Sequence, residues 1–251
     1  MENLGNSCYF NTALQCLLHV PVLTNRFILK GYSGDCVFTQ EYNKLVDHVW
    51  VKKSKDVFSP KVILAEFQTL YPQFQGQQPN DVHEAVLCII DIFEKSLDKE
   101  WIKKHFYGTR KQVIEWPEGL KESEESYAIH TLDLGDEFFK KTVDIENYED
   151  EEGHRWPKAQ IHTHVVSKAS AFMVNFNLYT QKQLTKLPER LEGYRLNAAA
   201  MHMGNHRGGH NATIARHKDD WFIIDDEMKV KADHYHETGP YYFAIYTKSS
   251  S

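Results

Sequence analysis

The chain has 251 residues, of which 41% are hydrophobic and 25% are charged, and its formal net charge is −6. This composition is typical of a globular protein, and the length suits one large domain whose core needs no disulfide or metal. The acidic balance and the lack of a basic stripe argue against nucleic acid as a partner. Four cysteines without a CxxC pair argue against a disulfide scaffold or a zinc knuckle and indicate a reducing compartment.

No signal peptide or membrane span is predicted. The first residues lack a basic region, and no run of about 20 apolar residues is present. We therefore expect an intracellular protein, cytoplasmic or nuclear, that acts as a monomer and not at a membrane.

The first third of the chain has the periodicity of helices. Apolar residues at helical spacing predict a helix over Cys8–Leu18 that is closed by Pro21, and further helices over residues 41–51 and Lys61–Leu70. The clearest pattern follows Asn80, a plausible N-cap, where a continuous apolar stripe predicts one more helix.

Strand-like runs replace the helices after about residue 105. They cover residues 112–116, 127–134, 171–179, 194–203, 210–216, 221–224 and 241–247. The acidic stretch at residues 146–153 (ENYEDEEG) predicts a solvated loop. Helices followed by strands indicate an α+β fold.

The first segment that carries chemistry is residues 3–15. Cys8 stands at the start of a predicted helix, where the positive helix end favours a thiolate. The side-chain amide of Asn3 is a candidate donor to an oxyanion, and Gly5 permits a tight approach of the backbone. Taken alone, the cysteine fits a buried structural role better, since most free cysteines are buried.

The second and third segments carry a histidine and acids. In residues 208–227, His210 opens one predicted strand and Asp225 and Asp226 end the next, so a hairpin can bring an acid to the imidazole. In residues 76–91, Asp81 and Glu84 lie on one helix face, where they can clamp an arginine-bearing peptide. A surface histidine and a solvated helix face are the structural alternatives.

A metal site is a further alternative, because the sequence contains a cluster of histidines: His202, His206, His210, His217, His234 and His236. The first three are four residues apart, and histidines at that spacing share a metal when they lie on a helix. Glycines at positions 204, 208 and 209 argue against a helix there. We predict no metal and no cofactor.

The three segments, in this order, resemble the ubiquitin-specific protease family. The segment NLGNSCYFNTALQ resembles the cysteine box of this family, and QQPNDVHEAVLCIID resembles the helix that follows it. The family's histidine box resembles YRLNAAAMHMGNHRGGHNATIARHKDDWFIIDDE, and its closing strand resembles GPYYFAIYTK. The resemblance spans residues 2–248 and is vague between about residues 100 and 165. Many members carry two CxxC zinc pairs in a β insert called the fingers, whereas residues 100–165 here contain no cysteine.

The resemblance implies a papain-like α+β fold in a single, minimal catalytic domain. A helical lobe would cover about residues 1–100, a metal-free fingers-like insert about residues 101–165, and an antiparallel β lobe about residues 166–248. The implied activity is that of a cysteine-type deubiquitinase, which hydrolyses the bond after the C-terminal Gly-Gly of ubiquitin. Ubiquitin and ubiquitinated proteins are the expected partners.

The resemblance also implies catalytic roles for single residues. Cys8 would attack the carbonyl of the terminal glycine, and His210 would take the thiol proton and later protonate the leaving amine. Asp225 would orient His210, with Asp226 as a supporting or substitute acid. Asn3 would donate to the tetrahedral oxyanion.

Four further residues are expected to bind the substrate tail: Asp81, Glu84, Gln78 and Asn211. The two acids match family positions that hold the arginines of the ubiquitin tail. Asn211 replaces the aromatic residue that usually follows the catalytic histidine, at a position that touches the tail channel.

Three alternative functions stay open at this point: a ubiquitin-binding pseudoenzyme, a peptidase for another modifier that ends in Gly-Gly, and another papain-like hydrolase. The catalytic positions all hold competent residues, so the sequence offers nothing for a pseudoenzyme. The last alternative shares the Cys–His chemistry but lacks the helix that carries Asp81 and Glu84.

Overall fold

The computed structural model describes residues 1–76, 80–177, 184–205 and 208–249. The first part of the chain is helical, with α1 (Cys8–Leu18), α2 (Pro21–Lys30), α3 (Val37–Val46), α4 (Lys61–Leu70), α5 (Val82–Ser96) and α6 (Lys99–Phe106). A π-helical turn (Asp47–Val51) extends α3, and a 3₁₀ turn (Pro72–Phe74) follows α4. No helix in the described ranges is long and apolar enough to cross a membrane.

The rest of the described chain is mainly β structure. Its strands are β1 (Gly108–Trp116), β2 (Gly119–Tyr127), β3 (Ile129–Leu132), β4 (Lys140–Glu149), β5 (Arg155–Ser167), β6 (Ala171–Phe176), β7 (Thr185–Lys186), β8 (Arg190–Leu191), β9 (Tyr194–Asn205), β10 (Gly208–His217), β11 (Asp220–Asp225), β12 (Met228–Ala232), β13 (Thr238–Gly239) and β14 (Tyr241–Lys248). The α+β fold class is thereby confirmed.

The predicted helices over Cys8–Leu18 and Lys61–Leu70 are confirmed at both ends. The expectation that Pro21 closes the first helix is wrong, because α1 ends at Leu18 and Pro21 begins α2. Proline suits a first helical position, where its missing N–H needs no partner. The helix predicted over residues 41–51 begins earlier, at Val37, and α6 was not predicted.

The strands form two large sheets. The main sheet has the order β12-β11-β10-β9-β14-β6-β3, with β8 paired to β9, and its neighbours are antiparallel except for β3 and β6. The second sheet has the order β2-β1-β5-β4. It consists of the hairpin β1–β2, which precedes β3 in the sequence, and the hairpin β4–β5, which follows β3. This second sheet is the predicted fingers-like insert.

Helix α1 is the centre of the fold. It packs against α5 and α2 on one side and against β9, β10 and β11 on the other. Only Cys8 and Gln15 of its residues are not buried. The sheet meets this helix with small side chains, because Ala198, Ala200 and Ala215 lie in the same core as α1. A helix that is apolar on nearly all sides is stable only when it is covered on all sides.

The tip of the fingers-like insert is held by aromatic and carboxylate contacts. Trp116 and Tyr148 have ring centroids 5.3 Å apart across the two hairpins. Asp150 accepts a 2.9 Å hydrogen bond from Trp156 Nε1 and two more from backbone N–H groups of the turn that follows β4. The predicted loop at residues 146–153 is partly wrong, since β4 continues through Glu149 and only the turn lies beyond it. Alternating cross-strand pairs with β5 override the acidic composition there.

Two buried histidines carry an electrostatic cost at low pH. His130 on β3 is 1% exposed, and neither ring nitrogen has a hydrogen-bond partner among the described residues. Burial, followed by the charges of Arg110 and Lys141, lowers its pKa to about 4, against an opposing effect of Asp136. Burial also lowers the pKa of His19 to about 4, although its Nδ1 contacts the Gln15 carbonyl.

We predict that the free energy of unfolding falls as pH drops from 6.5 to about 4. The folded-state pKa of each histidine lies below its unfolded value, so the unfolded chain binds more protons in this window and stability is complete only above it. The loss approaches about 3 kcal/mol for each histidine. Urea denaturation at a series of pH values measures it.

The His130→Phe variant should reduce this pH dependence, since phenylalanine fits beside Tyr127 and Phe172 and cannot be protonated. An unchanged pH dependence in the variant would show that His130 does not titrate on unfolding.

Candidate active site

The loop before α1 places Cys8 at the first position of that helix. Gly5 has φ +85° and Asn6 has φ +49°, and these left-handed conformations turn the chain sharply into the helix. The Asn3 side chain closes the turn, because its Oδ1 accepts hydrogen bonds from Gly5 N at 2.9 Å and from Ser7 Oγ at 3.2 Å. The Cys8 thiol is partly exposed at the positive end of α1.

His210 and Asp225 are brought together by the β10–β11 hairpin. His210 Nε2 lies 2.5 Å from Asp225 Oδ1, and the two side chains are 36% and 25% exposed. The strands pair from Thr213 with Ile224 to His217 with Asp220, so His210 and Asp225 lie just beyond the last pair. The open end of the hairpin therefore carries a histidine–acid pair, and β10 packs against α1.

Asp226 contacts the loop before α1. Its carboxylate accepts hydrogen bonds from Asn3 Nδ2 at 2.6 Å and from Asn11 Nδ2 at 2.8 Å, one on each oxygen. Asp226 adopts φ +47° in the turn between β11 and β12, and aspartate is among the residues that tolerate this conformation. The adjacent acids thus have different neighbours, His210 for Asp225 and the amides of α1 and its preceding loop for Asp226.

The side chain of Asn211 contacts the Cys8 sulfur. Its Nδ2 lies 3.7 Å from Cys8 Sγ, and its Oδ1 accepts a 2.8 Å hydrogen bond from the Tyr242 hydroxyl. Asn211 and Tyr242 are each 7% exposed. The cysteine box and the histidine box, which are separated by about two hundred residues in the sequence, meet at this contact.

The predicted tail-binding residues lie at the start of α5. Asp81 caps this helix, and its Oδ1 accepts hydrogen bonds from His83 N at 3.0 Å and His83 Nδ1 at 2.7 Å. Glu84 lies in the first turn and is exposed. Gln78 lies outside the described residues.

The histidine cluster does not have the geometry that a helix would give it. His202 and His210 lie on the antiparallel strands β9 and β10, while His206 is outside the described residues. Burial lowers the pKa of His202, with the charge of Asp81 opposing the change. Within the described ranges, only His210, Asp225 and Asp226 have donor atoms close enough to share a metal ion, and hydrogen bonds already engage all three.

Sequence reasoning missed two residues of the site, Asn11 and Tyr242. Asn11 is 2% exposed on a helix whose other buried residues are mostly apolar, and a lone amide in such a stripe is a usable signal. Tyr242 stands in an apolar strand pattern, where nothing distinguishes it from a core aromatic residue.

Comparison with known proteins agrees with this architecture. The structure superimposes over 100% of the chain on 69% of a chain from the SAGA DUB module bound to monoubiquitin, with a TM-score of 0.80 and 18% identity. A second structure, the SAGA DUB module bound to ubiquitin aldehyde, gives a TM-score of 0.76 at the same 18% identity and coverage. The chain therefore shares the overall fold of these DUB-module chains.

The family model for ubiquitin carboxyl-terminal hydrolase matches residues 1–244. The chain belongs to this family, which confirms the resemblance seen in the sequence. Ubiquitin carboxyl-terminal hydrolase 15 of human and rat is 27% identical over 160 residues, 57% of this chain. The match covers only 16% of the length of these relatives.

We predict that Asp226→Asn lowers the free energy of unfolding by about 1–2 kcal/mol. The substituted amide has one carbonyl oxygen, so the NH₂ group of either Asn3 or Asn11 then faces another NH₂ group. Urea denaturation near neutral pH measures the loss. The control is Asp219→Asn, because Asp219 is 91% exposed and reaches Arg195 only at 3.4 Å. Equal effects of the two substitutions would contradict the role of Asp226 as the anchor of the loop.

Proposed function

We propose that this chain is a thiol-dependent deubiquitinase that hydrolyses the bond after the C-terminal Gly-Gly of ubiquitin on lysine or peptide conjugates. One observation supports this most strongly: Asn211, the neighbour of His210, lies 3.7 Å from Cys8 Sγ. The segment that carries the candidate nucleophile and the segment that carries the candidate base, from opposite ends of the sequence, meet at this contact. Family membership makes ubiquitin the expected ligand of this site.

The hydrogen bond of His210 to Asp225 determines which ring nitrogen acts as the base. Because Nε2 faces the carboxylate, the neutral ring carries its proton on Nε2 and leaves Nδ1 to take the thiol proton. Asp225 then stabilises the imidazolium that forms. The side chain of Asp225 is 25% exposed, so water screens this electrostatic attraction only partly.

The proposed reaction has two steps. The Cys8 sulfur attacks the carbonyl carbon of the terminal glycine, and the thiol proton passes to His210 Nδ1. Collapse of the tetrahedral intermediate breaks the C–N bond, and His210 gives its proton to the leaving amine. Water, deprotonated by His210, then attacks the thioester, which releases the ubiquitin carboxylate and restores the thiol.

The proposed oxyanion donor is Asn3. One N–H of its amide is held by Asp226, and the carbonyl is held by Gly5 N and Ser7 Oγ, so the orientation of the group is fixed before substrate binds. An amide carries two N–H donors, and the second remains for the oxyanion. Preorganised donors of this kind need no reorientation during the reaction.

The substrate tail would enter between the start of α5 and the strands β9 and β10. Asp81 and Glu84 supply the negative charge proposed to hold the arginines of the tail. His83 Nδ1 is a partner of Asp81 at 2.7 Å in the structure. An incoming arginine would compete with that histidine, or share the carboxylate with it.

We predict that ubiquitin carrying a C-terminal electrophile forms one covalent adduct with this chain, at Cys8. The Cys8→Ala variant should show no adduct, whereas Cys36→Ala should be labelled at the rate of the unmodified chain, because Cys36 lies on the helical lobe at the N-cap of α3. Intact mass spectrometry measures the adduct.

The possible results separate the alternatives. Noncovalent binding without reaction would identify a pseudoenzyme, and reaction with a probe built on a different Gly-Gly modifier would identify another specificity. Failure of a folded sample to bind or react with any such probe would refute the proposed function.

We predict that Asp225→Asn lowers kcat much less than His210→Ala does. An asparagine oxygen can still accept the Nε2 hydrogen bond, so the loss should stay below the loss of about a thousandfold or more that is expected when the base is removed. Hydrolysis of a fluorogenic C-terminal ubiquitin amide measures kcat. Equal losses in the two variants would show that the charge of Asp225 is indispensable and that Asp226 gives no substitute.

A further inference from the structure

The contact between Asn211 and Cys8 has a defined polarity. A primary amide can present either NH₂ or oxygen to a neighbour, and in the structure Asn211 presents its oxygen to the Tyr242 hydroxyl and its NH₂ group to Cys8. Tyr242 Oη lies 2.8 Å from Asn211 Oδ1 and donates its proton to that oxygen. The NH₂ group is thereby directed to Cys8 Sγ, at 3.7 Å.

The strand β10 holds Asn211 firmly in this place. Side chains alternate along a strand, and Ala215 belongs to the core that contains α1, whereas Ile214 belongs to the core on the other face of the sheet. Asn211 and Thr213 share the face of Ala215. Thr213 is fully buried opposite Cys16, two turns along α1 from Cys8. The register between β10 and α1 is therefore fixed by packed side chains at both ends.

We propose that Asn211 is a catalytic residue whose Nδ2–H group donates to the Cys8 sulfur and stabilises the thiolate, and that Tyr242 is its positioning residue. The inference rests on the proposed function only in taking Cys8 as the nucleophile. An N–H donor stabilises a charged sulfur more than a neutral thiol, so the contact raises the thiolate fraction at neutral pH. With 7% exposure at Asn211, little water competes for the donor.

Stabilisation of the thiolate has a second consequence. A more stable thiolate is intrinsically a weaker nucleophile. On a logarithmic scale, the loss in the rate constant of the thiolate is about half of the gain in the thiolate fraction. Removing the donor should therefore lower the reaction rate of the sulfur at neutral pH, where the thiolate fraction limits the rate. At high pH, where every thiol is ionised, it should raise that rate. A variant that merely changes access to the sulfur alters the rate by the same factor at every pH.

The test is alkylation of Cys8 by iodoacetamide, followed peptide by peptide by mass spectrometry between about pH 6 and pH 10. Relative to the unmodified chain, Asn211→Ala should react about threefold more slowly near neutral pH and about threefold faster at the alkaline end. Tyr242→Phe leaves the amide in place but frees its orientation. It should also react more slowly than the unmodified chain near neutral pH and faster at the alkaline end, with smaller differences in rate.

Two controls accompany the variants. Cys36 in the same sample reports any general change of folding or reagent. Tyr241→Phe removes a hydroxyl that donates to the His236 carbonyl at 2.7 Å, one residue away from Tyr242, and should leave the Cys8 profile unchanged. If Asn211→Ala does not fold, Tyr242→Phe and Asn211→Asp, which replaces the donor with a negative charge of nearly the same shape, carry the test.

Profiles that coincide with that of the unmodified chain, or that differ by one factor across the whole pH range, would overturn the proposal. No ubiquitin takes part in this experiment. Its outcome is therefore independent of probe labelling, and a thiol tuned by Asn211 in a chain that binds no ubiquitin would refute the proposed substrate but not this inference.

Discussion

The structure depends on the burial of α1 on nearly every side. Helices α2 and α5 cover one face of this helix, and the small alanine side chains of β9 and β10 let the main sheet approach the other. The cysteine at its first position stays partly exposed. The exposure of this candidate nucleophile thus follows from the packing of a single apolar helix, since its N-terminal residue lies at the edge of the core.

The polar residues of the site are arranged so that few buried groups lack a partner. Asp226 satisfies the amides of Asn3 and Asn11, Asp225 satisfies a ring nitrogen of His210, and Tyr242 satisfies the carbonyl of Asn211. These contacts join the loop before α1 to strands from the far end of the chain. Of these contacts, the hydrogen bond from Tyr242 to Asn211 is buried, and an unpaired polar group at that depth costs about 1–3 kcal/mol.

Much of this arrangement could be predicted from the sequence, and the exceptions have physical reasons. Apolar spacing predicted α1 and α4 to the residue, and the hairpin pattern predicted the contact between His210 and Asp225. The different partners of Asp225 and Asp226 were not predictable, because Asn3 and Asn11 are 223 and 215 residues away from Asp226. Helix α6 was missed although Asp98 caps it and Ile102 and Phe106 are buried at helical spacing, because a helix of eight residues shows too few repeats to stand out in the sequence. The hydrogen bond between Tyr242 and Asn211 was not predictable either, because a strand pattern does not reveal it.

The position of β14 in the main sheet has a consequence for how the protein is made. This strand pairs with β9 on one side and β6 on the other, although it is the last strand of the described chain. A ribosome therefore delivers α1 about two hundred residues before the strand that completes the sheet beneath it. Contacts between such distant parts of a chain form slowly and leave aggregation-prone intermediates. Since Tyr242 belongs to β14, the Asn211 amide beside Cys8 gains its hydrogen-bond partner only after that strand has been added.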